Sequence, residues 1–563
     1  MSEVKKEEKG ITRRDFVKGA AAGAVGGLVV GGPGAALAGQ HGKKAKPLLP
    51  AKWDKETDVL VVGSGGAGLC AAVEAARAGA NVVVIEKMGY AGGNSLLAAG
   101  HCILGGTHVQ AAANIKDNAD WWYEDQMEAG EYRADPDLMS VYTKLGDDFT
   151  VFMEGLGLVW SSTLGKAGDS RVNRGHYPAA KPELYPTNPA NKTRSGGIAE
   201  IIVLLKELDR LGVPVLLNHK MTRIIREPNG PVLGLEVETK PETINIKARK
   251  AVILASGGWK CNKQMLMAWD RRYDTDFFDS GYPYVNTTGD GLMAAEDVGA
   301  GLTGMSYACL LYHTWGAKGL AFWEPQTMST FPGPFSGLNI RDFHRLIAVR
   351  GNGQRFADIT QQESIHEQAT PFDTAFLNLL TERPRNVWAI TDADGAAALR
   401  WPEAQMRNPV RQVPPGLERD SVAVADTIEQ LASMMRIDPV GLAATVSKYN
   451  GFVDAGKDAD FGTPPPLYKI SKPPFFGVKY WLQAHDQMSG LRANTRAQVL
   501  DRSDQMVAQG VRIDAEKVIP HLYAAGECVG GYFGNVRGSG KMGVYMIWGR
   551  VAGQNAVRER RLG

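Results

Sequence analysis

Thr57-Asp58-Val59-Leu60-Val61-Val62-Gly63-Ser64-Gly65-Gly66-Ala67-Gly68, followed by an Ala-rich run over 69–78, is the stretch that decides the fold. Residues 57–62 have the pattern of a buried strand, the glycines that of a tight turn, and the Ala-rich run that of a helix. Gly63 permits the turn, Gly65 lets the backbone approach a pyrophosphate, and Gly68 allows close packing of the helix. Gly66 and Ala67 complete the loop at a helix N-terminus that stabilises negative charge. A second strand over 81–85 ends at Glu86, placed to accept hydrogen bonds from an adenosine ribose. The expectation is an α/β chain with a Rossmann-like dinucleotide-binding domain, and these residues fit a nicotinamide or a flavin dinucleotide equally well.

With 563 residues, 44% of them hydrophobic, the chain is long enough for two domains. Its 63 basic and 61 acidic residues nearly cancel, so it lacks the basic surface that nucleic-acid binding needs and that class is set aside. Cys70, Cys102, Cys261, Cys309 and Cys528 form no CxxC pair and no CxxCH. Neither a zinc ribbon, an iron–sulfur ligand set nor a covalent haem is readable, so no metal site is expected and any haem belongs to a partner.

The N-terminus has the pattern of an export address. Thr12-Arg13-Arg14-Asp15-Phe16-Val17-Lys18 precedes a Gly/Ala-rich apolar run to about residue 32, then Ala36-Leu37-Ala38, a small-x-small cleavage site. That is a twin-arginine signal peptide over 1–38. A retained membrane helix is the alternative, but the glycines, Pro33 and the short run suit a ~30 Å hydrocarbon core poorly. The expected location is periplasmic or otherwise extracytoplasmic, with the membrane involved only through the export machinery. A Lys/Pro-rich linker follows over 39–56.

Beyond the glycine turn, Glu86-Lys87 followed by Gly92-Gly93-Asn94-Ser95 and Ala98-Ala99-Gly100 resembles the flavin-facing loop of the fumarate reductase/succinate dehydrogenase flavoprotein family. Three later segments carry the same likeness in family order. They are Leu254-Ala255-Ser256-Gly257-Gly258-Trp259, Thr288-Gly289-Asp290-Gly291, and Tyr523-Ala524-Ala525-Gly526-Glu527. The resemblance spans nearly all of 57–563 and implies FAD as cofactor, with Glu527 contacting the ribityl chain. Taken without it, Asp290 has the position of a helix cap and Glu527 that of a solvent-facing acid beside a turn. Residues 312–484 break the βαβ pattern and contain amphipathic stretches at 422–435 and 439–453. The family places there an inserted α+β capping domain that closes over the flavin and excludes water. The division expected is 57–310 and 485–563 for the FAD-binding domain and 311–484 for the cap.

In the family, fumarate reduction uses His and Arg side chains on a dicarboxylate and an Arg of the cap as proton donor. His485-Asp486-Gln487-Met488-Ser489-Gly490 is similar to the family's HHTMGG segment, which implies that His485 holds a substrate carboxylate or carbonyl. Hydrogen bonding to backbone at the domain hinge is the alternative. Arg537 resembles the C-terminal clamping arginine, although Val536 occupies the strictly aligned place, and pairing with a surface acid is the competing role. His313, in Tyr312-His313-Thr314-Trp315, is a shifted equivalent of the HPT segment or part of an aromatic core patch.

Two departures argue against fumarate. Gln361-Gln362-Glu363 stands where the proton-donating Arg is expected, and Asp486 replaces the second histidine. Tyr282, Tyr284, Tyr307, Tyr312 and Trp315 suggest an aromatic-lined cavity instead of one for a small dianion. The expected function is reduction, or the reverse formation, of an activated C=C bond in an unsaturated acid or ketone, served by a c-type cytochrome or quinone-linked carrier. A 3-ketosteroid dehydrogenase-like enzyme is the alternative, but Val536-Arg537-Gly538 replaces that group's closing YPG-type segment. An FAD-binding electron-transfer subunit is the alternative of another class. His101, just after Gly100, is the candidate for a covalent flavin link, which is the minor expectation.

Overall fold

The computed structural model describes residues 49–165, 170–186, 195–269, 278–279, 286–305, 308–313, 342–360, 386–407, 422–479, 481–487, 489–505, 517–533 and 541–563. The export signal, most of the linker, Tyr282, Tyr284, Tyr307, Trp315, the 361–363 segment and Arg537 lie outside the described residues.

The glycine turn joins a strand, β1 (Lys55–Val62), to a helix, α1 (Gly66–Arg77), and β2 (Val82–Ile85) lies parallel to β1 with Val59 opposite Val82 and Val62 opposite Ile85. Asn81 stays outside β2 because its backbone serves the strand before it. Thr57 Oγ1 donates to Asn81 O at 2.8 Å and Asn81 N donates to Asp58 Oδ2 at 3.1 Å. Helix α1 is buried along nearly its whole length, as expected for a helix covered on more than one side. Downstream come α2 (Gly197–Arg210), β3 (Val215–Leu216), β4 (Lys220–Arg226), β5 (Val232–Glu238), β6 (Thr243–Leu254), α3 (Asp290–Asp297) and β7 (Ala308–His313).

The inserted segment builds its own sheet from β8 (Ile347–Val349), β9 (Trp388–Thr391), β10 (Val422–Ala425) and, beyond helices α4 (Ile428–Met435) and α5 (Pro439–Ala455), β11 (Phe475–Lys479). The order is β8-β9-β11-β10 with all neighbours antiparallel. Ile347, Val349, Trp388, Ile390 and Phe475 join Leu431, Met435, Leu442, Val446 and Tyr449 in a second hydrophobic core. The amphipathic stretch at 422–435 is two elements. Val-Ala-Val-Ala alternates with a period of two and pairs with β11, while Thr427 starts α4 by accepting from Gln430 N at 3.2 Å. Arg355, six positions ahead of the departed 361 site, is tied down structurally. It pairs with Asp458 at 2.6 Å and lies over the rings of Tyr449 and Phe461 at 4.9 and 5.0 Å.

The chain returns through β12 (Trp481–Gln487), β13 (Gln498–Leu500), β14 (Val518–Ala524) and α6 (Met542–Ala556). The first sheet then has eight strands in the order β13-β14-β6-β1-β2-β3, with the β4–β5 hairpin attached to the first half of β6. The fold class read from the sequence is the one observed, a Rossmann-like α/β body with an α+β insertion. Gly549 and Gly553 let α6 cross α1 at backbone contact, since a Cβ at either would lie 2.1 Å from Ala67 O or 2.4 Å from Ala71 O. Among the described residues no helix is long and apolar enough to cross a membrane.

Candidate active site

The glycine loop has one closed side and one open side. Gly63 has φ +100 and a Cβ there would meet Ala255 O at 2.4 Å, while a Cβ at Gly68 would meet Gly63 O at 2.0 Å. At Gly65, by contrast, a Cβ would meet only Ser95 Oγ, at 3.8 Å. The open side is therefore at Gly65, where a pyrophosphate needs backbone access. The 92–95 loop borders it. Gly92 and Gly93 both have positive φ, Gly92 N donates to Ser64 O at 3.0 Å, and Gly66 N donates to Ser95 Oγ at 3.1 Å. Ala67 sits under α6, and Gly100 is fixed by contact with Gly196, which a Cβ would approach to 2.5 Å.

Glu86 follows β2 directly and is 7% exposed. One carboxylate oxygen accepts from Ser64 N at 3.0 Å and Ser64 Oγ at 2.7 Å, and the other accepts from Met88 N at 2.9 Å. The acid that its spacing predicts for a ribose is, in the structure, the clamp of the glycine turn. Ser64, a residue between two glycines with no periodic signal, is the partner that sequence reasoning missed.

Asp290 does not cap its helix. The N-cap of α3 is Gly289 in the left-handed region, with no side-chain cap, and the Asp290 carboxylate accepts from Lys87 Nζ at 2.7 Å. Lys87 also donates to Thr288 Oγ1 at 2.8 Å, so the pair joins the two flavin-loop motifs. Gly257 has φ +76, and Ser256 turns its hydroxyl to the first turn of α3, 2.1 Å from where a Cβ on Gly291 would be. Glu527 does not merely face solvent. Its two oxygens accept from Gly258 N at 3.2 Å and Gln487 N at 3.1 Å, linking the turn after β6 to the end of β12.

Strands β7 and β12, the connections into and out of the insertion, pair antiparallel. Ala308 lies opposite Gln487 and Leu310 opposite Ala484, so β12 carries an extra residue at His485–Asp486 across from Cys309. Such a bulge re-aims side chains and is common beside active sites. His313 lies opposite Trp481, roughly 13 Å along the strand from His485 at ~3.3 Å per residue. The two histidines therefore sit toward opposite ends of one ladder and are not brought together.

Beneath the 95–100 loop, α2 begins with Gly197 against Ser95 O, and Cys102 Sγ donates to the buried Glu200 Oε1 at 3.2 Å. Burial raises the Glu200 carboxyl to about 8. His176, also buried, is lowered by desolvation to about 4 and has its ring nitrogens on Thr107 Oγ1 and Arg174 O, both at 2.8 Å. The His101 ring stacks on Tyr177 with centroids 4.4 Å apart, so one face is covered.

A dinucleotide fits this architecture on its own evidence. The loops at 63–68, 92–95, 256–258, 288–290 and 526–527 converge, Gly65 leaves backbone accessible, and the buried Asn94 Oδ1 has no hydrogen-bond partner among the described residues. A sequence profile of the FAD binding domain family matches residues 58–542. The chain belongs to the FAD binding domain family. FAD is its cofactor, and it is an FAD-dependent oxidoreductase. Among curated relatives of this family, urocanate reductase of Eggerthella lenta is 30% identical over 525 residues, covering 92% of this chain and 77% of that protein. Fumarate reductase (cytochrome) of Shewanella frigidimarina is 28% identical over 525 residues, covering 93% and 81%. Among solved structures, the open conformation of a flavocytochrome c3 fumarate reductase superposes with a TM-score of 0.70 at 27% identity, covering 98% of this chain and 82% of that one.

Proposed function

We propose that this FAD-dependent oxidoreductase reduces, or in reverse forms, an activated C=C bond in an unsaturated acid or ketone other than fumarate. Relatives whose names specify reduction of urocanate and fumarate support C=C chemistry. The observation that carries the site is the β12 bulge at His485–Asp486, two residues from Gln487, whose backbone is fixed to Glu527. It supports a site for His485 in the strand by which the chain returns from the insertion, two positions from the residue held by Glu527. Bound FAD supplies hydride exchange at N5.

His485 holds the activating carboxylate or carbonyl and stabilises charge that accumulates on it in the transition state. Arg537 is the second cation and His313 a more remote contributor on the same ladder. The division into 57–310 and 485–563 for the FAD-binding domain and 311–484 for the cap is part of this reading, and the pairing of β7 with β12 near both boundaries supports it. Export by the twin-arginine route to an extracytoplasmic compartment implies a c-type cytochrome or quinone-linked protein as the electron partner. Gln361-Gln362-Glu363 and Asp486 support a substrate other than fumarate.

The test is anaerobic reoxidation of the dithionite-reduced protein, followed by flavin absorbance, against fumarate, methacrylate, cinnamates, urocanate and 3-keto-enes. Rapid reoxidation by a non-fumarate acceptor is expected. Fastest reoxidation by fumarate overturns the substrate assignment, and no response to any acceptor favours a dehydrogenase or the electron-transfer subunit.

A further inference from the structure

Gln487 is 1% exposed and its side chain is held at one end. Oε1 accepts from Trp259 N at 3.1 Å and Lys260 N at 3.0 Å, in the turn that follows the Ser256–Gly258 flavin motif. Two backbone donors on one oxygen settle which way the carboxamide faces, since the flipped amide would aim its own hydrogens at two N–H groups. The NH2 is directed away from residues 259–260, and Nε2 is buried with no hydrogen-bond partner among the described residues. Buried amide donors are nearly always satisfied, so a retained one points to an acceptor that the described protein does not supply.

The surroundings identify that acceptor. Glu527 bridges the backbone of Gln487 and Gly258, and a Cβ on Gly258 would meet Gln487 Oε1 at 2.4 Å and the Glu527 carboxylate at 2.9 Å. Both neighbours of Gln487 are flavin-loop residues, and the oxygen acceptors a flavin offers are its pyrimidine carbonyls and ribityl hydroxyls.

We propose that Gln487 is a flavin-positioning residue, whose carbonyl locks the 258–260 turn while its NH2 donates to an oxygen of bound FAD. The inference rests on the cofactor and not on the substrate reading above. A donor on a pyrimidine carbonyl also stabilises the negative charge of reduced flavin and raises the flavin potential.

The experiment compares full-length wild type with Gln487→Glu and Gln487→Met. It reads thermal stability of the apoprotein, FAD affinity by titration of deflavinated protein, flavin midpoint potential and KM for any accepted substrate. Glutamate keeps an oxygen for Trp259 N and Lys260 N and removes the donor once it is ionised, so this variant is read across a pH series, at whose acid end the carboxyl proton can still donate. Gln487→Glu should hold apoprotein stability near wild type at the acid end and lose stability as its carboxyl ionises beside Glu527, and over the same pH range FAD binding should weaken at least about tenfold, the loss of one hydrogen bond. If the contact is a pyrimidine carbonyl, the reduced form loses about tenfold more than the oxidised form, and the potential falls by about 30 mV. If it is a ribityl hydroxyl, both forms weaken equally in the uncharged Gln487→Met variant and its potential holds. Affinity and potential in Gln487→Glu that stay unchanged after its carboxyl has ionised, with loss only in Gln487→Met, make Gln487 a structural pin and overturn the proposal. A change in KM alone assigns the NH2 to substrate and also overturns it. Should the glutamate variant not fold, an FAD affinity and potential in Gln487→Met that match wild type overturn it equally.

Discussion

Lys87 and Asp290, separated by 203 positions in the chain, meet in a 2.7 Å ion pair that fastens the loop after β2 to the first turn of α3. Lys220 approaches the other Asp290 oxygen at 3.9 Å, so one carboxylate stands between two ammonium groups. Both partners are mostly shielded, with side chains 22% and 17% exposed. Asp290→Asn should cost about 1–2 kcal/mol and lower FAD retention, measured by thermal unfolding with and without added FAD. In a Lys87→Met background the same substitution should cost clearly less. Equal costs in both backgrounds would show that the pair is not coupled.

Two glycine substitutions separate cofactor access from packing. Gly65→Val places its branched side chain in the open side of the loop, where only Ser95 Oγ lies within 4 Å, so the apoprotein should fold normally and bind no FAD. Gly549→Ala drives a methyl group to 2.1 Å from Ala67 O and forces α6 off α1, so its apoprotein should lose roughly 1–3 kcal/mol. The ratio of flavin to protein absorbance and the apoprotein melting temperature read the two effects independently. A Gly65→Val protein that purifies with full flavin would refute the assignment of the open side.

The sequence disclosed what is local and periodic. The β1–turn–α1 unit is contiguous, and its glycines obey steric rules that a single chain segment displays. The partners that fix the site are set by long-range contacts with no sequence period. Ser64 on Glu86, Lys87 on Asp290, and Gln487 on Trp259 and Lys260 are separated by 22, 203 and more than 200 positions. Asp290 and Glu527 have local signatures of a cap and a surface acid, yet tertiary context uses both as bridges. At 422–425 the mixture of Val and Ala satisfied more than one periodicity, and pairing with β11 decided for a strand. The one-residue bulge at His485–Asp486 depends on the register between β7 and β12, which no reading of β12 by itself supplies.

His485→Ala tests the substrate role against the hinge role. The bulge is a backbone feature of the β7–β12 ladder, and the loops proposed to hold the cofactor do not include His485. The variant should therefore keep its flavin and its melting temperature while losing at least about a hundredfold in turnover, the scale for one electrostatic donor to a developing charge. Stopped-flow reoxidation of the reduced variant by the acceptor that serves wild type isolates the step. Normal reoxidation would remove His485 from the chemistry, and loss of flavin or stability would favour the hinge role.

Glu200 gives the fold a pH dependence whose sign can be worked out. It is fully buried in the first turn of α2, one oxygen accepts from Cys102 Sγ at 3.2 Å, and the other has no partner among the described residues. Burial raises its carboxyl from 4.5 to about 8 in the folded state. The unfolded chain releases this proton above about pH 4.5 and the folded chain only above about 8, so the unfolded state binds fewer protons across that interval. Stability from this group is therefore complete below the unfolded pKa and declines as pH rises through the folded one. Glu200→Gln keeps a carbonyl for Cys102 and cannot ionise, so wild type should lose stability relative to the variant on the order of 1.4 kcal/mol per pH unit within the window and level off above it. Urea unfolding of both proteins across that range measures the difference. A difference independent of pH would mean that Glu200 ionises in the folded protein as readily as in the unfolded chain.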